Sequence, residues 1–414
     1  MAERRAAPGP RPTALPAWAS WSAAGAERPW TVGMEEEVML LDPRTWSVAN
    51  RIDDVLGVLP PEAASCASAE THACVIELRT TPHPTVAAAA AQLVHLRHSL
   101  AGALRDSLGL RAAVAGTHPM ATRSEVEVSS TGRYREIEAT MRALAHREPT
   151  MALHVHVAVP DGAAAVHALD GLRSDLPVLL ALSANSPYWR ASDSGFASVR
   201  TPIFSMFPRV GIPRPFGTYP EYVRAVDPLV RSDAIPDPGF LWWDARLQPR
   251  LGTVEVRIMD AQSRVMDAAA LAALVQCRVR HHADAPHRGA AGPEALAENR
   301  FLAARDGMRA QLIDVRTRRR RPVHDTLTEL IADCEPRAVQ LGCTAELAMA
   351  AALATDPGAA RQRRHAARHG LTGVAARLSD DFTSAHGTIA AAERRRIRDG
   401  PRAEITTIGM LHLG

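Results

Sequence analysis

Four short segments put ionisable side chains at alternate positions of a β-pattern: Thr31-Val-Gly-Met-Glu35-Glu36-Glu37-Val38, Cys74-Val-Ile-Glu77-Leu-Arg79, Leu153-His154-Val-His156-Val157 and Thr253-Val-Glu255-Val-Arg257-Ile258. Strand side chains alternate between faces with period two, so Glu35 shares a face with Glu37, Glu77 with Arg79, His154 with His156, and Glu255 with Arg257. The intervening positions are almost all apolar: Met34 and Val38, Ile76 and Leu78, Val155 and Val157, Val254 and Val256. Glu36 is the exception and points away from the polar face. If the four strands lie in one sheet, one face packs a core and the other gathers carboxylates, imidazoles and guanidiniums. Such a wall suits metal ions and phosphates.

With 414 residues, 46% of them hydrophobic, the chain can build one large domain or two moderate ones. A formal charge of +3 gives no nucleic-acid footprint. The basic run Arg316-Thr317-Arg318-Arg319-Arg320-Arg321 reads as a solvated loop. Every Lys/Arg position is arginine, which excludes Walker-type phosphate binding, Schiff-base catalysis and pyridoxal chemistry, all of which need a lysine. The five cysteines, Cys66, Cys74, Cys277, Cys334 and Cys343, are scattered without CxxC spacing. They read as buried structural thiols of a cytoplasmic protein rather than a zinc ribbon or disulfide framework. No apolar run approaches the ~20 residues of a membrane span, and the N-terminus lacks the apolar region of a secretory signal.

Residues 1–28, rich in Pro, Ala and Arg, read as a disordered lead-in. Helical pattern is expected over about 84–108, 133–145, 268–281, 293–313, 322–332, 345–354 and 358–378. The stretch from Arg190 to Gly252 is rich in Pro, Gly and aromatics and suggests a lid or binding loop, with Trp242 and Trp243 as a wall against solvent. Strands set among helices, with long connections, indicate α+β, and no GxGxxG follows a strand.

Glu35, Glu37, Glu77 and Glu255, with Glu70 near the second strand, supply more carboxylate than one ion needs. That many like charges on one surface repel unless cations neutralise them, so two or three divalent ions are expected. Mg²⁺ prefers oxygen ligands, and Mn²⁺ also accepts an imidazole. Arg246, Arg250 and Arg257, in or before the fourth strand, suit phosphate or carboxylate oxygens. Metal with arginine resembles an ATP site in which ions bridge phosphates. Each element alone could be a surface feature, and the joint register favours a site. A metal-dependent hydrolase using the same acids is the competing class.

The segments Gly33-Met-Glu35-Glu36-Glu37, Leu153-His154-Val-His156-Val, Ser183-Ala-Asn185-Ser186-Pro187-Tyr-Trp189, Asp193-Ser-Gly195-Phe-Ala-Ser-Val-Arg200 and Trp242-Trp243-Asp244-Ala-Arg246-Leu-Gln-Pro-Arg250-Leu-Gly252-Thr-Val-Glu255-Val-Arg257 resemble the glutamate–cysteine ligase type 2 family, in its carboxylate–amine ligase branch. The resemblance covers about residues 30–380. It implies a glutamine synthetase-type catalytic domain over 29–385, with a curved antiparallel sheet flanked by helices, followed by a tail over 386–414. It also implies an ATP-dependent ligase joining the γ-carboxylate of glutamate to the amine of cysteine, or another acid and amine by the same chemistry, and leaves a homodimer open. One ion would take Glu35, Glu70 and Glu77, the other Glu37, His154 and Glu255. His156, Arg257, Arg200 and Arg246 would contact nucleotide or phosphate, and Arg257 with Arg250 would neutralise charge during transfer. Met151-Ala152 stands where the family often has Cys-Gly, and Ser194 where it has Thr; neither removes a ligand.

Overall fold

The alternating segments pair with one another. In the computed structural model, which describes residues 15–130, 132–284 and 291–384, seven strands form one antiparallel sheet: β1 (Val32–Leu41), β2 (Ala67–Ala69), β3 (Val75–Arg79), β4 (Arg111–Ala113), β5 (Ala152–Ala158), β6 (Ala245–Gln248) and β7 (Thr253–Asp260). Their order is β6-β7-β5-β1-β3-β2, with β4 pairing the far end of β1. The order ends at β6 and β2, and no ladder among the described residues joins them. The curved sheet implied by the resemblance is therefore corrected to an open one, neither curled nor closed, within an α+β chain.

One face is dry. Met34, Val155, Val157, Val254 and Val256 are fully buried in a core shared with helices α1 (Val86–Ala103), α2 (Gly162–Leu172), α3 (Leu176–Ser183) and, later in the chain, Val265–Asp284. Helix α1 starts where the Thr85 side chain accepts from the Ala88 amide at 3.3 Å. Its Leu93, Leu96 and Leu100, spaced three and four apart, are buried on one face.

The stretch 190–252 is less irregular than its composition suggests. It contains helices α4 (Arg200–Phe204) and α5 (Tyr219–Arg231), the second capped by Thr218. Val265–Asp284 is α6, followed by α7 (Pro293–Asp306), α8 (Val323–Leu341), α9 (Thr344–Thr355) and α10 (Gly358–Phe382). The helix expected over 293–313 stops at Gly307, whose φ of 56° is left-handed. Beyond it Gln311–Asp314 pairs with Arg319–Pro322, so the basic run lies on an exposed hairpin. Part of the expected lead-in is ordered. Ala17–Ala19 and Ala23–Glu27 are short helices, and the Trp18 and Trp21 indoles donate to Asp227 Oδ1 and the Val159 carbonyl, both at 3.1 Å. Residues 1–14 and the tail over 386–414 lie outside the described residues. Among the described residues no helix is long and apolar enough to cross a membrane.

Candidate active site

Strand register sets the layout of the polar face. Across the ladders Arg246 lies opposite Glu255, Glu255 opposite His156, His154 opposite Glu35, Glu35 opposite Arg79, and Glu37 opposite Glu77. Opposed residues on adjacent strands bring their Cβ atoms to about 5 Å, so neighbouring side chains meet. His154 Nδ1 is 3.3 Å from Glu35 Oε2, and its Nε2 is 3.9 Å from Glu37 Oε1. His156 Nε2 is 3.4 Å from Glu35 Oε1 and 3.9 Å from Glu255 Oε1. Glu36 faces the other way. It is fully buried and bound to Arg97 of α1 by two hydrogen bonds of 2.7 and 2.6 Å.

Among the described residues, three sets of side chains offer ligand atoms within 4.8 Å of one another: Glu37, Glu70 and Glu77; Glu35, Glu77 and His154; and Glu35, His156 and Glu255. The partition implied by the resemblance joins Glu35 with Glu70 and Glu77, and Glu37 with His154 and Glu255. The sets keep its Glu35–Glu77 and Glu70–Glu77 pairs, and the register explains why Glu37 joins them. Glu37 sits directly across from Glu77, whereas Glu35 sits across from His154, on the side of β1 that leads to Glu255. His156, expected at the nucleotide, lies within reach of Glu35 and Glu255.

The electrostatics show an excess of negative charge at one end. Burial, then Glu70, pushes the Glu37 carboxyl up to about 8, against Arg200 and the Ala152 amide that donates to it at 2.7 Å. Burial and the anions of Glu35, Glu70 and Glu37 hold Glu77 well above the carboxylate range. Glu255 is the opposite case. Burial opposes its charge, but Arg246 and Arg257 outweigh burial and hold it well below. Arg246 reaches its two oxygens at 2.6 and 3.2 Å, Gln248 donates at 2.7 Å, and Arg257 contacts it as well. Burial disfavours a charged His156, yet Glu35 and Glu255 raise it. Burial, then Arg257, lowers His154 to about 4.

These residues border a cavity of about 420 Å³ lined by Glu35, Glu37, Glu70, Glu77, His154, Arg246 and Arg257. The segment 190–252 contributes Phe204, Phe207 and Trp242 to its wall. Trp242 packs edge-on to Phe207, whereas Trp243 turns to Phe216 in the core. The sequence reading missed Tyr134, His72, Phe204 and Phe207, which lack a periodic signal. Arg79 also lines the cavity, and its period-two partnership with Glu77 was the available sign. Two expected residues are not on the polar face. Arg250 is exposed in the turn between β6 and β7, where alternation has ended. Arg200 is buried and donates to the Ile258 and Arg257 carbonyls at 3.1 and 3.2 Å.

A family model described as "Glutamate-cysteine ligase family 2 (GCS2)" matches residues 31–392. The chain belongs to this family. A protein of Rubrobacter xylanophilus named "Putative glutamate--cysteine ligase 2-3" is 40% identical over 351 residues, covering 84% of this chain and 95% of that one. Among solved structures, the glutamate–cysteine ligase of Francisella tularensis in complex with AMP superposes with a TM-score of 0.65 at 13% identity, over 89% of this chain and 92% of that one. A bifunctional glutathione synthetase of Pasteurella multocida gives 0.61 at 14%, over 85% of this chain and 52% of that one. At such identities the two structures share the fold. As a member of glutamate–cysteine ligase family 2, the chain is an ATP-dependent carboxylate–amine ligase acting on small molecules.

Proposed function

We propose that this ligase joins the γ-carboxylate of glutamate to the amine of cysteine through an acyl phosphate, in the cytoplasm, at the cavity bordered by β1, β3, β5 and β7. The observation that carries this reading is the meeting of acid clusters with Arg246 and Arg257 around one cavity. A carboxylate is a poor acylating agent because its leaving group is oxide. Moving the ATP γ-phosphoryl group onto it releases ADP and leaves phosphate as the leaving group. Attack by the amine, with loss of a proton, then gives the amide and phosphate. Positioning and electrostatics suffice for this chemistry.

The donor set fits two divalent ions, Mg²⁺ or Mn²⁺. Burial and neighbouring acids disfavour the charge of Glu37 and Glu77, which a cation would offset, and His156 Nε2 is buried without a hydrogen-bond partner. Glu37, Glu70 and Glu77 would hold one ion, and Glu35 and Glu255 with His154 or His156 the other. When bound, such ions offset the charge of the phosphates. The chain's own residues supply the rest. Arg257 lines the cavity and is the cation best placed to meet charge developing on the transferred group. Arg246 holds Glu255 in place. Phe204, Phe207 and Trp242 keep water from the acyl phosphate.

The test is stoichiometric. With both substrates and Mg²⁺, ADP and amide should appear one for one, and excess chelator should stop both. ATP consumption at the same rate without the amine would instead identify a nucleotide hydrolase.

A further inference from the structure

A second cavity, of about 250 Å³, shares no lining residue with the first and is bounded by α10 and by Ser263 and Arg264 at the start of α6. Arg361, Arg364, His365 and Arg368 recur at helical spacing and so occupy one face of α10. Gly370, with φ of 67° and extended ψ, breaks the helix. The second half of α10 adds Arg377 and Asp381 to the lining.

The lining carries Arg264, Arg361, Arg364, Arg368 and Arg377 against two acids, Asp356 and Asp381. Most of the local carboxylate is already engaged. Arg361 pairs with Asp267 and Arg364 with Asp356. Asp381 is shared, 2.7 Å from Arg377 and 3.8 Å from Arg264. Arg368 has no carboxylate partner among the described residues. Cations three and four positions apart on a helix repel one another. Burial lowers the pKa of His365, and His369 and Arg377 lower it further, against the Gly373 backbone and Asp381. None of these groups lines the ligase cavity.

We propose that this cavity is a binding site for a small oxyanion, a phosphoryl or polycarboxylate group, held by Arg264, Arg364, Arg368 and Arg377. Guanidinium forks pair with either kind of oxygen cluster by bidentate hydrogen bonds, and the start of the long helix α6 adds a favourable dipole. The site is independent of the ligase reading.

The experiment is calorimetric titration of the full chain with orthophosphate, and separately with malonate. EDTA is present so that metal-dependent binding at the acid clusters is silent, and ionic strength is matched with chloride. One saturable site per chain is expected for at least one anion, and the tighter of the two identifies the class. The Arg368→Ala/Arg377→Ala variant should bind at least about tenfold more weakly, and Asp356→Asn more tightly. Arg377 is 47% exposed and Arg368 exposed, so the variant should fold, which its unfolding midpoint checks. Arg321→Ala, on the basic hairpin, should bind as the wild type does. Absence of saturable binding for both anions, or unchanged affinity in the double variant, would overturn the proposal.

Discussion

Adjacent acids on and beside β1 should fail in opposite ways when neutralised. Glu36 and Arg97 are both fully buried, joined by hydrogen bonds of 2.7 and 2.6 Å. Arg97 also donates to the Ser263 and Gln262 carbonyls, each at 2.8 Å, and lies 5.0 Å over the Phe382 ring. The pair thus ties β1 to α1, to the start of α6 and to the end of α10. Glu36→Gln keeps the shape and leaves a buried guanidinium without its counter-charge, a loss of about 3–5 kcal/mol. Glu77 is buried among Glu35, Glu70 and Glu37, which disfavour its charge. Glu77→Gln therefore removes repulsion, and metal-free stability should hold or rise by up to about 1 kcal/mol. Activity should reverse the order. Glu77→Gln should lower ADP release at least ~100-fold, because several kcal/mol of charge stabilisation would depend on the ion it is proposed to help hold. Folded Glu36→Gln should keep most of its rate. Urea unfolding of the metal-free proteins, with midpoints compared at equal m, reads the first quantity, and coupled ADP release in Mg²⁺ reads the second. The reasoning fails if Glu36→Gln loses activity without losing stability, or if Glu77→Gln destabilises as Glu36→Gln does.

His118 is a separate source of acid sensitivity. Its Nδ1 accepts from the Met120 and Ala121 amides at 3.1 and 2.9 Å and its Nε2 faces the Trp46 carbonyl at 2.8 Å, while burial lowers its pKa to about 4. The unfolded chain takes up this proton near pH 6.5, so stability from His118 is complete above that pH. It is lost as pH falls to about 4, by up to about 3 kcal/mol. His118→Gln should flatten the pH–stability curve by roughly one proton in that window, and an unchanged slope would exclude the residue as the cause. Trp242→Ala opens the cavity wall, so ADP released per amide should rise above one in the coupled assay; a ratio still at one would mean that Trp242 does not exclude water. Arg250→Ala should leave turnover within about twofold of wild type, and a large loss would return this arginine to the phosphate path.

Much of the polar face was legible because period two is a local property. Glu35, Glu37, Glu77, His154, His156 and Glu255 needed only their own strands to be placed. Their grouping into clusters was not legible, because it depends on which residue of β1 faces Glu77 across the ladder, a long-range register that hydrophobic alternation leaves free by steps of two. Arg250 misled because the pattern was extended past Gln248 into a turn. Arg200 misled because its segment reads as irregular, and in the fold it turns toward the backbone of β7. The open sheet departs from the curved one because curvature is not written in alternation. The anchoring of Trp18 and Trp21 against residues over a hundred positions away escaped a composition that reads as disordered.

A sheet is well suited to hold this much like charge. Neighbouring strands lie about 4.8 Å apart, and two oxygens on one Mg²⁺, each about 2.1 Å from it, are separated by roughly 3–4 Å. Side chains opposed across a ladder therefore need only lean together to share an ion. Residues one helical turn apart start about 5–6 Å apart and also splay outward. The repulsion of Glu37, Glu70 and Glu77 acts against a backbone whose other face carries fully buried Met34, Val155 and Val157. Loosening that face would let the acids separate before it unfolded the chain, so Val155→Ala should weaken metal binding more than its loss of stability alone accounts for. The expected cost is about 1–3 kcal/mol in unfolding, with Mn²⁺ affinity falling several-fold in protein that remains folded at the assay temperature. Unchanged Mn²⁺ affinity in that folded variant would mean that the ladder alone, without its packed face, holds the acids in place.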